Sequence, residues 1–229
     1  MQSISLTLGA GHIDRVIHEA DVFLCEYRKD AGYIYQNYRP ITSPDKVVPE
    51  DLAVTLLVNS QVSWRAFQTL LEQGHTIDLS PVPAKPLEQT TPEERRRIAA
   101  VIAHMAQLPG FASSVATKVL HKKRPATIPV LDNQAIYGAY MNPDWNPPSK
   151  LARADSIKDE GRIYEALDWI TFDLNRPENA EAWECLQAIE PSHSRIQLFD
   201  SVWWMYFRKF QSVPRGRHRD AICNEEPGI

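Results

Sequence analysis

The sequence has few cysteines for its 229 residues. The three that occur, Cys25, Cys185 and Cys223, are odd in number and widely spaced. This pattern supports neither a disulfide framework nor a four-thiolate metal or iron–sulfur site. We therefore expect no disulfide bonds, no metal, no cofactor and a reducing, cytoplasmic compartment.

The sequence also lacks long hydrophobic runs. Nowhere do about eighteen apolar residues follow one another, and Gly9, Gly11, His12 and Asp14 interrupt the first apolar stretch. We therefore expect no membrane partner and no secretion signal. The net charge of −4 indicates no field that would attract a polyanion to the whole molecule. Any surface that binds nucleic acid must be local.

The remaining composition is typical of a soluble globular protein, with 43% apolar and 24% charged residues. Apolar residues recur at spacings of three and four, and no segment is typical of a central strand. We therefore predict an all-α fold and a single compact unit. Helices are predicted over about 14–28, 133–140, 159–174, 178–189 and 194–210, with others beginning near residues 49, 63, 91 and 113.

Two of these helices have clear sequence markers. In the first, Thr91 is the N-cap, Pro92 occupies the first helical position and Glu94 completes a capping box. The helix that begins near Ser63 should end at Gly74. Its predicted inward-facing residues are Ala66, Phe67, Leu70 and Leu71. Three prolines make 75–91 a connecting loop, and 212–229 is predicted to be a flexible tail.

The segment "LPGFASSVATKVLHKKRPATIPVLDNQ" (108–134) carries most of the functional information. Leu108-Pro109-Gly110 ends one helix sharply, and Ser113 is a plausible N-cap for the next. Such a helix–hairpin–helix exposes backbone N–H groups beside a helix N-terminus, where they bind phosphate oxygens of DNA irrespective of sequence. The predicted backbone-binding residues are Gly110, Phe111, Ala112, Ser113, Ser114 and Lys118.

Two charged features follow the hairpin. The stretch "HKKRP" ends the second helix, and its cations suit either the helix C-terminus or a nearby phosphate. Asp132 precedes the next predicted helix, where most aspartates are only caps. Lys118 lies one turn beyond Ser114, and a lysine at that spacing is more often solvated.

These residues resemble the helix–hairpin–helix base-excision DNA glycosylases, in which a hairpin is followed by an obligatory aspartate. The hairpin-to-aspartate segment is similar to that of adenine-specific mismatch glycosylases. The resemblance is specific over about residues 105–134 and weak over residues 50–72. It implies that Asp132 is catalytic and that Gln61 fills the gap left by an extruded base.

The resemblance also implies a mechanism. In such enzymes the nucleotide is flipped out of the duplex, and its N-glycosidic bond is cleaved. A fixed carboxylate, here Asp132, stabilises the positive charge that develops on the sugar. Ser114 stands where bifunctional members have a lysine, which implies a monofunctional enzyme without a covalent step. Leu56 stands where the adenine-specific members have a glutamate, so adenine removal is not expected.

The resemblance further implies a two-lobed unit over 1–211. Residues 48–132 would form one lobe ending in the hairpin, and 1–47 with 133–211 the other. A monomer that binds double-stranded DNA with a flipped base is expected. The alternative is a catalytically inactive DNA-binding or scaffold module in which Asp132 is only a cap.

The helix at 194–210 contains further candidates. Trp203, Trp204 and Phe199 are more typical of core packing than of a base-stacking wall. Asp200 is the only acid in that aromatic helix, and we give it a low weight as a pocket residue.

Overall fold

A computed structural model describes residues 3–58, 60, 62–142 and 157–212. Its described part is mostly helical, which confirms the all-α prediction. Gln61 and the predicted tail from residue 213 onward lie outside the described residues. None of the helices in the described ranges has the length and apolarity needed to cross a bilayer.

Eight α-helices are described, together with one π-helix and several short 3-10 segments. The α-helices are α1 (Ala20–Tyr27), α2 (Ala31–Asn37), α3 (Trp64–Gln73), α4 (Pro92–Gln107), α5 (Ser113–Lys123), α6 (Glu160–Asn175), α7 (Ala180–Ile189) and α8 (Arg195–Ser212). The π-helix spans Asn133–Tyr140, and the 3-10 segments span Pro49–Val58, Gly74–Thr76, Leu87–Gln89 and Pro177–Asn179.

The N-terminal segment differs from its prediction. The expected helix over 14–28 is wrong in its first turn, because Arg15–Ile17 forms strand β2, which pairs antiparallel with β1 (Leu6–Leu8). Helix α1 begins only at Ala20, after Glu19 adopts a left-handed φ of 58°. Val16, one of the apolar residues behind the helical spacing, is 51% exposed.

A buried acid explains why this segment turns back as a hairpin. Asp173 of α6 accepts hydrogen bonds from Gly9 N at 2.6 Å and Ala10 N at 3.0 Å. Gly9 has a φ of 129°, a conformation that glycine adopts without strain. Leu6 and Leu8 then point into the core and are fully buried, as alternate residues of a strand with one covered face do.

Helix α4 is central to the core. Its predicted capping box between Thr91 and Glu94 is present. Ile98, Ile102 and Met105 are fully buried, as their spacing predicts. Helix α4 packs against α5 and α6, while α1 packs against α7 and α8.

Two details of the next elements were predicted wrongly. Phe67 and Leu71 of α3 are 49% and 65% exposed, and only Ala66 and Leu70 of the predicted face are buried. Fewer apolar residues of α3 are therefore buried than their spacing predicts. The N-cap of α5 is Ala112, which offers no side-chain cap, and Ser113 is already inside the helix and fully buried.

Candidate functional site

A tight turn joins α4 to α5. Gly110 is exposed and has a φ of 87°, and a Cβ there would lie only 2.6 Å from Ala66 N. Phe111 is 4% exposed and packs in the core. Ser113 was predicted to donate its backbone N–H to a phosphate. In the structure this N–H donates to Ile157 O at 3.0 Å and already has a protein partner.

The extended segment after α5 is held by three hydrogen bonds to its neighbours. His121 Nδ1 lies 2.6 Å from Ile128 O, and Leu131 N donates to Thr117 Oγ1 at 3.0 Å. Val130 N donates to Asp200 Oδ2 at 3.2 Å. The segment is therefore fixed between α5 and α8.

This placement brings Asp132 to the N-terminus of the π-helix. Its Oδ1 accepts hydrogen bonds from Gln134 N at 2.9 Å and Ala135 N at 3.0 Å. Its Oδ2 lies 3.8 Å from Lys118 Nζ, and the Asp132 side chain is 25% exposed. Asp132 thus caps the π-helix through Oδ1, while its Oδ2 faces the amino group of Lys118.

Lys118 is buried rather than solvated. Its side chain is 13% exposed, and its Nζ donates to Ser60 Oγ at 2.7 Å. Burial lowers the pKa of Lys118, and Asp132 opposes that shift. Ser114, the position of the lysine in bifunctional glycosylases, is half-buried and does not line the cavity described next.

Asp132 and Lys118 line a cavity of about 260 Å³. For comparison, a cavity of about 150 Å³ holds a benzene molecule, so a nucleobase-sized ring fits in the space. Aromatic side chains from three helices form part of the wall: Tyr27, Tyr35, Trp203 and Trp204. Trp203 is fixed by a hydrogen bond from its Nε1 to Ala135 O at 2.8 Å.

Asp200 faces the same cavity from α8 and is nearly sealed, with a side chain only 7% exposed. Burial raises the pKa of Asp200 well above its usual range, against the opposing effects of the Val130 hydrogen bond and of Lys122. The low weight given to Asp200 as a pocket residue was therefore wrong, because helical spacing does not reveal whether a buried acid borders a cavity.

The cations at the end of α5 lie in its last turn, as the helix-end interpretation predicts, but the side chains of Lys122 and Lys123 are buried. Lys123 Nζ pairs with Asp51 Oδ2 at 2.8 Å, and both side chains are almost completely covered. Lys122 Nζ donates to Tyr35 O at 2.6 Å and lies 4.2 Å from the centre of the Tyr35 ring. These two lysines hold α5 against the chain around α2 and are not available to a phosphate.

Sequence reasoning missed the contribution of α2 to the cavity. Asp30 caps α2 through Gly32 N at 2.8 Å, and it pairs with Arg208 of α8. The Tyr35 hydroxyl donates to Lys118 O at 2.7 Å. The N-cap sequence of α2 was a usable signal for a helix but gave no indication of a cavity.

The structure therefore brings together only part of the predicted site. Asp132 and Lys118 meet in the cavity, together with Asp200. The other predicted backbone-binding residues, Gly110, Phe111, Ala112, Ser113 and Ser114, do not line it. In the described chain, no cluster of three or more potential metal ligands occurs.

Comparison with known proteins supplies a family but no activity. No curated protein and no solved structure matches the chain. Over residues 19–207 the sequence matches the model described as "Family of unknown function (DUF6308)", and the chain belongs to this family.

Proposed function

We propose that this protein is a monofunctional DNA glycosylase-like hydrolase, in which Asp132 assists cleavage of the N-glycosidic bond of a flipped base. The observation that carries the proposal is that Asp132 lines a base-sized cavity while both of its capping hydrogen bonds end on Oδ1, which leaves Oδ2 free of them. The substrate would be a damaged, modified or mispaired base in double-stranded DNA.

The chemistry follows from charge. As the bond between C1′ and the base breaks, its electron pair leaves with the base and the sugar becomes positive. A carboxylate fixed by backbone N–H groups stabilises that charge without needing to reorganise. Water then adds to C1′ and releases a proton, which completes hydrolysis. The two capping amides therefore orient Asp132 for this role.

The turn between α4 and α5 supplies the second part of the proposal. Gly110 is exposed beside the N-terminus of α5, where backbone N–H groups other than those of Phe111 and Ser113, which have protein partners, favour an anion. A phosphate bound there would lie on the same helix as Lys118, two turns before the cavity. The turn would thus hold the DNA backbone while the flipped base enters the cavity.

Lys118 supports a second candidate reaction. A buried amine with a lowered pKa is a nucleophile when neutral. Its nitrogen would bond to C1′ as the base leaves, lose a proton to solvent and give a Schiff base after the sugar ring opens. Borohydride reduction would then link protein and DNA covalently in the wild type but not in Lys118→Met. A monofunctional enzyme gives no such adduct.

The primary test compares base release by the wild type and Asp132→Asn. Duplexes with varied lesions are incubated with excess protein, and abasic sites are revealed as alkali-labile strand breaks. Asparagine preserves the cap, so we expect DNA affinity to be unchanged and base release to fall about 10²–10³-fold.

Asp159→Asn is the matched control. Asp159 is an exposed N-cap of α6, where it accepts a hydrogen bond from Arg162 N at 2.8 Å, and it does not line the cavity. This variant should keep wild-type activity. Full activity in Asp132→Asn would contradict the assigned role, and no release from any lesion would favour the non-catalytic module.

A further inference from the structure

Asp200 presents an unused hydrogen-bonding atom to the cavity. Its Oδ2 accepts from Val130 N at 3.2 Å. For its Oδ1, the described part of the chain provides no hydrogen-bond partner. The side chain is 7% exposed and lines the cavity. Oδ1 is not among the fully buried polar atoms that lack a hydrogen bond, so it keeps some access to the cavity and can pair there with a ligand atom.

The side chains around Asp200 have other hydrogen-bond partners and do not pair with this oxygen. On α5, His121 Nδ1 lies 3.9 Å from Asp200 Oδ2 but is paired with Ile128 O, and Lys122 Nζ is bonded to backbone oxygens of α2. On α2, the Tyr35 hydroxyl donates to Lys118 O. Tyr27 on α1 is a further buried neighbour.

These surroundings also determine which form of the carboxyl group is present. Burial disfavours the charged form and raises the pKa of Asp200. The group therefore keeps its proton at pH values where an exposed aspartate is ionised. A protonated carboxyl group donates one hydrogen bond through O–H and still accepts at its other oxygen. The acceptor role is used by Val130 N, which leaves the donor for a ligand.

We propose that Asp200 recognises the base, its carboxyl O–H donating a hydrogen bond to a ring nitrogen or carbonyl oxygen of a neutral nucleobase in the cavity. This inference rests on the proposed function, because it takes a nucleobase as the ligand. It adds a substrate class: bases that present an acceptor atom towards α8. A base that presents only C–H or N–H groups there would leave the carboxyl group unpaired and be rejected.

The test measures binding of free nucleobases, which requires no bond cleavage. The probes are adenine, guanine, hypoxanthine, uracil, thymine and cytosine, titrated into the full-length protein by calorimetry. For the base that binds best, a set of analogues replaces each ring nitrogen or carbonyl oxygen in turn with C–H. We expect one replacement to weaken binding to the wild type about tenfold, as loss of one hydrogen bond predicts.

Two variants define the role of Asp200. Asp200→Leu removes both the donor and the acceptor, and it should bind the parent base about tenfold more weakly, with no further loss for the critical analogue. Asp200→Asn keeps a carbonyl for Val130 N and an N–H donor for the ligand, so its affinity should stay within about threefold of the wild type. Asparagine is nearly the same size, so this variant remains informative if leucine disrupts folding.

Three results would overturn the proposal: no binding of any of the six bases, equal affinity for all analogues, or a loss in Asp200→Asn as large as in Asp200→Leu. The last would show that an ionised carboxylate is required.

The proposed function fails separately. Base binding that depends on Asp200, without glycosidic cleavage of any lesion by the wild type, would refute the hydrolase and leave this inference intact.

Discussion

Lys123 and Asp51 form an ion pair that is almost completely removed from solvent. The distance is 2.8 Å, and the side chains are 0% and 3% exposed. Asp51 also accepts a hydrogen bond from Val48 N at 2.9 Å. The pair joins the end of α5 to the 3-10 segment that precedes Ser60, the hydrogen-bond partner of Lys118. Its integrity therefore affects both the fold and the cavity.

We expect Lys123→Met to destabilise the protein by about 3–5 kcal/mol, because Asp51 is left as a buried, unpaired charge. Urea denaturation followed by circular dichroism measures the change. Lys46→Met, at an exposed lysine, is the control and should change the free energy of unfolding by less than about 0.5 kcal/mol. Equal small effects in both variants would show that Asp51 finds another partner or takes up a proton.

The connection between α5 and the extended segment positions the candidate catalytic aspartate. Thr117 Oγ1 accepts from Leu131 N at 3.0 Å and donates to Ser113 O at 2.7 Å. Leu131 is fully buried, so its N–H has no access to water if this bond is lost. Asp132 is the next residue, so a displacement of Leu131 would also displace Asp132.

We therefore expect Thr117→Val to lower the free energy of unfolding by about 1–3 kcal/mol, the usual cost of a buried unsatisfied donor. Base release should fall as well, since Asp132 loses its fixed position. Thr117→Ser keeps the hydroxyl and should retain most of the stability and activity. If valine and serine behave alike in denaturation and cleavage assays, the hydrogen bond does not position Asp132.

Elements with strong local signals were predicted well from the sequence. The capping box at Thr91 and the boundaries of 133–140 are examples, because caps act over three or four residues. The prediction of a helix was wrong for the first residues of 14–28. The hairpin that replaces the helix is stabilised by Asp173, which is more than 150 residues away in the sequence. A helical spacing carries no information about such a partner.

The same distinction applies to the site. Asp132 was predicted as a site residue from the family resemblance, and its position just before a helix was the local signal for its cap. Lys118 was expected to be solvated and Asp200 was given low weight, because burial at a cavity depends on how α2, α5 and α8 pack. The contribution of Tyr35 was missed for the same reason. Long-range packing, rather than local pattern, determines which polar residues share the cavity.

A buried lysine makes the stability of the folded protein depend on pH. Burial lowers the pKa of Lys122 to about 7, whereas the unfolded chain has a lysine pKa of about 10.4. Between these values the unfolded state binds more protons than the native state. The contribution of Lys122 to stability therefore rises as pH increases from about 7 to about 10.4 and is lost as pH falls towards 7.

We expect the difference in unfolding free energy between the wild type and Lys122→Met to shift in favour of the wild type as pH is raised from 7 to 9.5. Urea denaturation at both pH values measures it, and groups that titrate equally in both proteins cancel in the difference. A difference that does not change with pH would show that Lys122 keeps an ordinary pKa in the folded protein.

The two-lobed organisation, with 48–132 opposed to 1–47 and 133–211, remains a prediction. Both proposed lobes supply cavity residues, among them Lys118 from one and Tyr35 and Asp200 from the other. Assembly of the site would therefore require the whole chain rather than either part. With a net charge of −4, the proposed binding of DNA would have to arise from local contacts.

In the proposed reaction, Asp132 stabilises positive charge on a deoxyribose. The most direct measurement compares binding of two duplexes that carry an abasic-site analogue, one a cationic pyrrolidine and the other a neutral tetrahydrofuran. Neither requires the lesion to be known. We expect the wild type to bind the cationic duplex at least about tenfold more tightly, and Asp132→Asn to lose that preference while its affinity for the neutral duplex is unchanged. Equal binding of the two duplexes by the wild type, or a preference that survives in Asp132→Asn, would contradict the claim.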